Sequence, residues 1–158
     1  KETAMVLGEI AGPEECFLAL RGLRSLGARL RQQEASALKV ARWLQGRPEV
    51  RRVLYPALPE DPGHALWRRD FQGASSLFGV LLHPVSRARL DRMVDGYRLF
   101  GIGASWGGFE SLVMPAEPTS CRTAAPWNEA GCLLRYHIGL EDPDDLIGDL
   151  AEGFARLA

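Results

Sequence analysis

Two short apolar segments limit what this chain can fold into. They are SSLFGVLL at residues 75–82, which Pro84 follows, and LLRYHIGL at residues 133–140. Apolar runs of this length are typical of buried β-strands, and a proline ends a strand because it has no N–H for the ladder. Both segments therefore predict strands with buried side chains.

Helical periodicity fills much of the remaining chain. Its clearest example spans residues 21–45, where apolar residues recur at spacings of three and four: Leu23, Leu26, Leu30, Ala37, Val40, Ala41 and Leu44. This pattern predicts one long helix that ends at Gly46 and Pro48. Residues 2–10 predict a short helix, and Pro13 with the two acids after it indicates the start of another.

Shorter patterns complete the order of elements. The further predictions are strands at 50–54 and 99–102, a helix at 86–97, a loop with one helical turn at 61–73 and a polar loop at 116–130. A closing helix is predicted after Asp142, with an apolar face of Leu146, Ile147, Leu150, Phe154 and Leu157. Together these elements predict an α+β fold, in which a small, mainly antiparallel sheet carries helices on one face.

Composition excludes several classes of function. The 158 residues suffice for one domain, and the net charge of −1 does not favour a nucleic-acid or membrane-surface partner. No apolar run approaches a transmembrane length, and no signal segment is visible. Three cysteines without metal-ligand spacing, Cys16, Cys121 and Cys132, indicate free thiols in a reducing cytoplasm. Because the chain begins with Lys1 rather than Met, we expect a piece of a longer or processed protein.

Lysine is scarce in this sequence. Of the 19 basic residues, Lys1 and Lys39 are lysines and the rest are arginines. A Schiff base needs a lysine amine that loses its proton in a desolvated pocket. Lys1 is terminal and Lys39 lies in a basic stretch of the predicted long helix, so neither is suited to that chemistry.

Arg135 is the first candidate binding residue, since it lies in the middle of an apolar predicted strand. A guanidinium among Leu133, Leu134 and Ile138 needs an anion, because its desolvation is otherwise costly. Its planar fork suits a carboxylate in a bidentate arrangement. An internal salt bridge to Asp or Glu, or a strand end at which Arg135 reaches water, would explain the same pattern.

A glycine-rich segment, GIGASWGGFESLVMP at residues 101–115, supplies the second candidate site. The paired glycines at 107–108 permit a positive φ or a close approach of the backbone to a ligand, beside Ser105 and Trp106. A hydroxyl, an indole and the Arg135 guanidinium would then form the wall of a pocket for a small anion. A tight turn with a surface serine and a packing tryptophan is the alternative.

The other polar residues are assigned structural roles. His137 lies on the same side of a regular strand as Arg135 and could shuttle protons, but a strand histidine is more typically a satisfied core residue. His64 and His83 are interpreted as structural. Glu110 and Ser111 could cap the segment that follows or stabilise the loop, and neither is assigned a catalytic role. An acidic cluster is interpreted as charge at a helix N-terminus, so no metal site is predicted: Glu141, Asp142, Asp144 and Asp145.

Six segments occur in the order found in a known enzyme family. They are RGLRSLGARLRQQEASALKVARWL at 21–44, VLYPALP at 53–59, GHALWRRDF at 63–71, SSLFGVLL at 75–82, ASWGGFESL at 104–112 and LLRYHIGLEDPDDLIGDL at 133–150. They resemble the C-terminal domain of the Cys/Met-metabolism enzymes, which use pyridoxal phosphate. The resemblance is nearest to the family's bacterial cystathionine β-lyases, because Trp106 stands where the γ-synthases and γ-lyases usually carry leucine. Ala104 and Phe109 depart from the tyrosines of those β-lyases.

This resemblance implies a fold and a division of labour. Residues 1–158 would be the small, substrate-binding C-terminal domain of a fold type I pyridoxal-phosphate enzyme, with residues 1–20 as a connecting segment. The cofactor-binding domain and its lysine would be absent. We therefore expect no bound cofactor, no catalytic residue and no activity in this piece alone.

The full-length enzyme would be a carbon–sulfur lyase of methionine biosynthesis that converts L-cystathionine into homocysteine, pyruvate and ammonia. The resemblance implies that Arg135 binds the α-carboxylate of the substrate, that Ser105 hydrogen-bonds to the lysine that carries the cofactor, and that Trp106 lines the pocket. Expected partners are L-cystathionine, an N-terminal pyridoxal-phosphate domain docked on the free face of the sheet, and the other subunits of a cytoplasmic homotetramer. Neither nucleic acid nor membrane is expected.

Two other interpretations stay open. A γ-synthase, a γ-lyase or a related sulfhydrylase of the same family would share these segments. A free-standing, non-catalytic module that binds an amino acid or a protein belongs to another class, and it would be encoded without a large preceding domain.

Overall fold

A five-stranded sheet forms the centre of the fold in the computed structural model, which describes residues 2–157 without the side chain of Ser120. The strands are β1 (Val50–Leu54), β2 (Leu77–Leu82), β3 (Gly101–Ile102), β4 (Leu112–Ala116) and β5 (Cys132–His137). They pair in the order β1-β2-β5-β4-β3, and every pair is antiparallel except the short parallel pair of β3 and β4. The predicted, mainly antiparallel sheet is confirmed.

Six α-helices accompany the sheet within residues 2–157. They are α1 (Glu2–Leu7), α2 (Pro13–Arg24), α3 (Leu26–Gln45), α4 (His64–Asp70), α5 (Arg87–Asp95) and α6 (Pro143–Ala155). Helices α3, α5 and α6 contribute buried side chains to one core cluster with the sheet, which confirms the predicted layer of helices on one face. None of the described helices has both the length and the apolar character of a membrane span.

The alternation of side chains along β5 separates the core from a second face. Leu134 and Tyr136 are fully buried, and Tyr136 pairs in register with Phe78 of β2 on one side and with Val113 of β4 on the other. Successive residues of a strand point to opposite faces. Arg135 therefore emerges on the face opposite the aromatic core, as expected for a candidate binding residue.

The closing helix forms as its sequence predicts. The Asp142 carboxylate accepts a hydrogen bond from the N–H of Asp144 at 2.8 Å, so this residue caps α6, and Pro143 occupies the first turn. The predicted apolar face packs into the core, with Leu146 and Leu150 fully buried. The acidic cluster is thus explained largely by the start of α6.

The predicted single helix over 21–45 is wrong at its N-terminal end. The chain leaves helical geometry at Ser25, whose N–H and hydroxyl both donate to the carbonyl of Gly22, and it starts again as α3. Glycines at 22 and 27 weaken the helix on both sides of that break. Leu23 is 66% exposed and Leu30 is 44% exposed, and burial begins at Gln33.

Large apolar side chains of α1, α2 and the segment between them are exposed. They are Met5, Val6, Leu7, Ile10, Phe17, Leu18, Leu20 and Leu23. The periodicity of this segment is therefore real, but it faces outward rather than into the core. Exposed apolar surface was expected for a separated domain, although on the free face of the sheet rather than on these helices.

Four shorter elements differ from their predictions. Residues 112–116 were not predicted as a strand, because Pro115 interrupts the pattern; beyond Val113, however, β4 has no partner on its β3 side, and an edge position tolerates proline. β3 has two residues instead of four, and β5 ends at His137 rather than at residue 140. The helical turn predicted within 61–73 is the seven-residue α4.

Two glycines of α6 allow the packing of this helix to be tested with one substitution. A Cβ at Gly148 would meet no atom within 4 Å, whereas a Cβ at Gly153 would overlap the ring of Tyr97. Gly148→Ala should raise the free energy of unfolding by about 0.5–1 kcal/mol through helix propensity. Gly153→Ala should lower it by roughly 1–3 kcal/mol through overpacking. Urea denaturation followed by circular dichroism measures both, and equal shifts in the two variants would contradict this packing.

Candidate functional site

The segment between β3 and β4 forms an open turn against the second face of the sheet. Residues 104–110 are all exposed, and Trp106 and Phe109 expose 65% and 68% of their surface. Gly107 has φ +81, a left-handed conformation in which a side chain would be strained. The predicted need for glycine is confirmed at this position.

Arg135 holds the start of this turn. Its Nη2 donates to the carbonyl of Ala104 at 2.6 Å, and the carbonyls of Ser105 and Gly103 lie at 3.3 and 3.4 Å. Within residues 2–157 no carboxylate forms an ion pair with this guanidinium, so the internal salt bridge weighed as an alternative is wrong. Three carbonyl dipoles partly compensate the charge and fix the orientation of the planar group.

The rest of the guanidinium is available to a ligand. The Nε and Nη1 groups of Arg135 form no hydrogen bond with the described residues, and the side chain is half-buried in β5. A half-desolvated cation attracts an anion more strongly than a fully hydrated one. The arrangement therefore suits a small carboxylate that approaches beside the exposed turn.

His137 holds the end of the same turn and is 1% exposed. Its Nε2 lies 3.3 Å from the carbonyl of Gly108, and its Nδ1 lies 3.5 Å from the N–H of Gly107 and 3.0 Å from the Ser76 hydroxyl. A carbonyl can only accept, so Nε2 carries the proton; Nδ1 then accepts. His137 is buried and its hydrogen bonds are satisfied, as predicted, but it lies under the turn rather than in the core beneath the helices.

Burial lowers the pKa of His137 below its ordinary value of 6.5, because the charged imidazolium is poorly solvated there. The neighbouring Arg135 lowers the pKa further, while the carbonyl of Gly108 and the carboxylate of Glu141 oppose the effect. The ring is consequently neutral at physiological pH, in agreement with its hydrogen bonds.

A second set of contacts fixes the return of the turn to the sheet. The N–H and hydroxyl of Ser111 both donate to the Glu141 carboxylate at 2.8 Å, and the N–H of Gly139 donates to the Ser111 hydroxyl at 2.8 Å. The N–H of Leu140 donates to the carbonyl of Phe109. Ser111 thus stabilises the loop as predicted, and Glu141 does so rather than capping α6.

Three side chains that form hydrogen bonds around the turn were not predicted from the sequence to do so. Gln33 of α3 donates to the carbonyl of Gly108 at 2.7 Å, Ser76 contacts His137, and Glu141 binds Ser111. A usable signal existed for Gln33, because it continues the buried period of Ala37 and is itself buried. Ser76 and Glu141 gave no such signal, since their partners lie far away in sequence.

The side chains proposed to meet a ligand are only partly brought together. The Ser105 hydroxyl and the Trp106 indole form no hydrogen bond with the described residues, and both side chains are exposed beside the carbonyls that Arg135 holds. The predicted pocket is therefore an open surface with a cationic group at its base. A wall on the opposite side would complete it.

Lys39, the lysine among residues 2–157, lies outside the candidate site. The Nζ of Lys39 pairs with the Asp144 carboxylate of α6 at 2.7 Å, and the Lys39 side chain is half-exposed. Lys1 lies outside the described residues.

The remaining candidate residues have structural surroundings. His64 Nδ1 lies 2.8 Å from the carbonyl of Pro56, and His83 donates its backbone N–H to the carbonyl of Glu49. Cys16, Cys121 and Cys132 form no disulfide in the described part of the chain. No group of three or more potential metal ligands occurs among residues 2–157.

Comparison with known proteins places this geometry in a family. A sequence profile of the Cys/Met metabolism PLP-dependent enzymes matches residues 1–155. A cystathionine beta-lyase of Salmonella typhimurium is 45% identical over 99% of this chain and 41% of its own length. An L-alanine/L-glutamate racemase of Wolbachia pipientis is also 45% identical, over 90% of this chain and 36% of its own.

The fold has solved counterparts as well. The crystal structure of a cystathionine gamma synthase from Xanthomonas oryzae in complex with cystathionine superposes with a TM-score of 0.82 and 38% identity, over 96% of this chain and 40% of that protein. This chain therefore has the α+β fold of a region of the fold type I pyridoxal-phosphate enzymes. It belongs to the Cys/Met metabolism PLP-dependent enzymes. It spans about two fifths of the length of the relatives it matches.

The lowered pKa of His137 predicts a pH dependence of stability. Between the unfolded pKa near 6.5 and the lower folded pKa, the unfolded chain binds more protons. The contribution of His137 to the free energy of unfolding is therefore complete above pH 6.5, and it is lost as the pH falls from 6.5 through the folded pKa. Denaturation at pH 7.5 and at pH 5 should show that the free energy of unfolding falls less between these two values in His137→Gln than in the wild type.

Exposed His83 provides the control for this measurement, because His83→Gln removes a histidine outside the buried network. In His83→Gln the free energy of unfolding should depend on pH as it does in the wild type. An identical pH dependence in His137→Gln would contradict the neutral, buried state of His137.

Proposed function

We propose that this chain is the substrate-binding C-terminal domain of a pyridoxal-phosphate-dependent cystathionine β-lyase. One observation carries the proposal: the half-buried guanidinium of Arg135 lies beside an exposed turn with two of its nitrogens unpaired among the described residues. An amino-acid substrate brings the α-carboxylate that such a group binds. Names of relatives at 45% identity support the activity of the whole enzyme.

Within this assignment, each side chain has a limited task. The guanidinium of Arg135 binds and orients the carboxylate, with Nη2 retained on the turn. The Ser105 hydroxyl donates to or accepts from the lysine that carries the cofactor, and the Trp106 indole lines one side of the substrate. Fixed orientation of a reactant supplies a large part of catalytic rate enhancement.

Pyridoxal phosphate, when bound, supplies the electron sink for the carbanion at the substrate's Cα. The cofactor and its lysine belong to a larger N-terminal domain in this proposal, and residues 1–20 connect the two domains. The full-length enzyme is then a cytoplasmic homotetramer. The piece alone binds no cofactor and has no activity.

The exposed apolar side chains of α1 and α2 support the view that the chain works within a larger protein. Buried in an interface, they would contribute hydrophobic stabilisation; exposed, they favour self-association. This observation speaks against a free-standing binding module. Such a module would need another explanation for eight exposed large apolar residues within residues 5–23.

The reaction within the family is the finer part of the proposal. Trp106 favours the β-lyase over the γ-synthase, γ-lyase and sulfhydrylase activities, in which leucine is usual at this position. A second candidate comes from the relative named L-alanine/L-glutamate racemase, whose identity to this chain equals that of the β-lyase. Both reactions need an anchor for the α-carboxylate, so Arg135 does not distinguish between them.

Product analysis of the full-length protein with pyridoxal phosphate distinguishes these reactions. Given L-cystathionine, the proposed β-lyase produces pyruvate and homocysteine, whereas a γ-lyase produces 2-oxobutyrate and cysteine. Given L-alanine or L-glutamate, a racemase produces the D-enantiomer, which chiral chromatography detects. The 158-residue piece, assayed beside it, should produce none of these. Racemisation without cystathionine cleavage would overturn the β-lyase assignment.

Arg135→Ala tests the carboxylate anchor in the full-length protein. Loss of a charge-assisted hydrogen bond should lower kcat/KM for L-cystathionine about 100-fold, mainly through KM. Absorbance of the bound cofactor should stay at its wild-type level. Arg92→Ala is the matched control, because this exposed arginine of α5 lies outside the site. Wild-type efficiency in Arg135→Ala would refute the anchor.

A further inference from the structure

The strand β5 places two side chains under the two ends of the turn that carries Ser105 and Trp106. Arg135 binds carbonyls at residues 103–105, and His137, two positions later, binds the backbone of residues 107–108. A spacing of two residues puts both on one face of the strand, about 7 Å apart. The turn is thus held at both ends by one rigid element.

We propose that His137 is a positioning residue, which sets the place of Ser105 and Trp106 relative to the Arg135 guanidinium without touching the substrate. This proposal rests on the proposed function for its catalytic consequence. Its structural content, that neutral His137 fixes the turn, can be tested without any reaction.

The hydrogen bonds of the His137 ring are compatible with one protonation state, the neutral ring with its proton on Nε2. Nε2–H donates to the carbonyl of Gly108, while Nδ1 accepts from the N–H of Gly107. A proton on Nδ1 would place two donors against each other at Gly107. Protonation should therefore release the Gly107 end of the turn, beside Trp106.

The surroundings of the ring favour this arrangement. Gln33 of α3 donates to the same carbonyl of Gly108, and Ser76, before β2, donates to Nδ1. Both groups are uncharged. The charged groups that act on the ring are Glu141 beyond β5 and Arg135 within it, and their effects oppose each other.

Two further carboxylates lie near the network. Glu34 of α3 accepts from the N–H of Ala74, and Glu110 is an exposed residue of the turn. Neither forms a hydrogen bond with His137 among the described residues. His137 is therefore the titratable side chain that hydrogen-bonds directly to the backbone of residues 107–108.

Fluorine NMR of the full-length protein, labelled with 5-fluorotryptophan, tests the position of the turn directly. Trp106→Phe assigns the Trp106 signal. That signal should move as the pH falls below about 6.5 in the wild type and in the control His83→Gln. It should stay constant in His137→Gln, which retains a donor for Gly108 and does not titrate.

Kinetics with L-cystathionine give the catalytic consequence. In His137→Gln, kcat/KM at pH 7.5 should fall about threefold to tenfold with cofactor absorbance unchanged, since the Gly107 contact is lost. The acid limb of the pH profile should lose one ionisation. In His137→Leu, which removes the contacts with both Gly107 and Gly108, kcat/KM should be lower still. The value for His137→Gln should lie between those of His137→Leu and the wild type.

The outcomes separate the two proposals. A Trp106 signal that titrates equally in wild type and His137→Gln overturns the positioning role. A signal that responds as expected in a protein that does not cleave cystathionine supports the positioning role and refutes the proposed function. If His137→Leu fails to fold, the comparison of His137→Gln with His83→Gln still decides.

Discussion

The pairing of β5 with β2 and β4 is the interaction on which the rest of this structure depends. β5 is the central strand of the sheet, with both of its backbone edges hydrogen-bonded. Its alternation sends Leu134 and Tyr136 into the core under the helices, and Arg135 and His137 to the opposite face. One register therefore defines both the hydrophobic core and the polar face against which the turn lies.

On that polar face, backbone carbonyls compensate the desolvation of the Arg135 guanidinium. A guanidinium in the middle of a sheet would be costly without compensation, and the structure compensates it with backbone carbonyls instead of a carboxylate. An acidic partner would have neutralised Arg135 and removed its attraction for an anion. Carbonyl dipoles orient the group while its full charge is retained. Under the proposed function, this choice of partner leaves Arg135 able to bind a carboxylate, which a structural ion pair would prevent.

Sequence patterns predicted the elements whose information is local. The apolar strand β2, the capped helix α6 and the central arginine of β5 could all be read from neighbouring residues. The exposure of the apolar side of residues 21–30 could not be predicted, because periodicity does not tell which partner, if any, covers an apolar stripe. β4 was hidden by Pro115, whose edge position is a property of the whole sheet. The buried period of α3 marks Gln33, but its contact with Gly108 depends on tertiary packing, as do the contacts of Ser76 with His137 and of Glu141 with Ser111.

The two-residue interval between Arg135 and His137 has an evolutionary consequence. Any insertion or slip of one residue in β5 would turn Tyr136 out of the core and, in the same step, withdraw both side chains from the turn. Under the proposed function, sequence change at this strand is thus limited both by stability and by ligand recognition. Residues 104–110 are exposed and contribute little to the core, so the proposed function leaves the turn freer to vary with substrate preference.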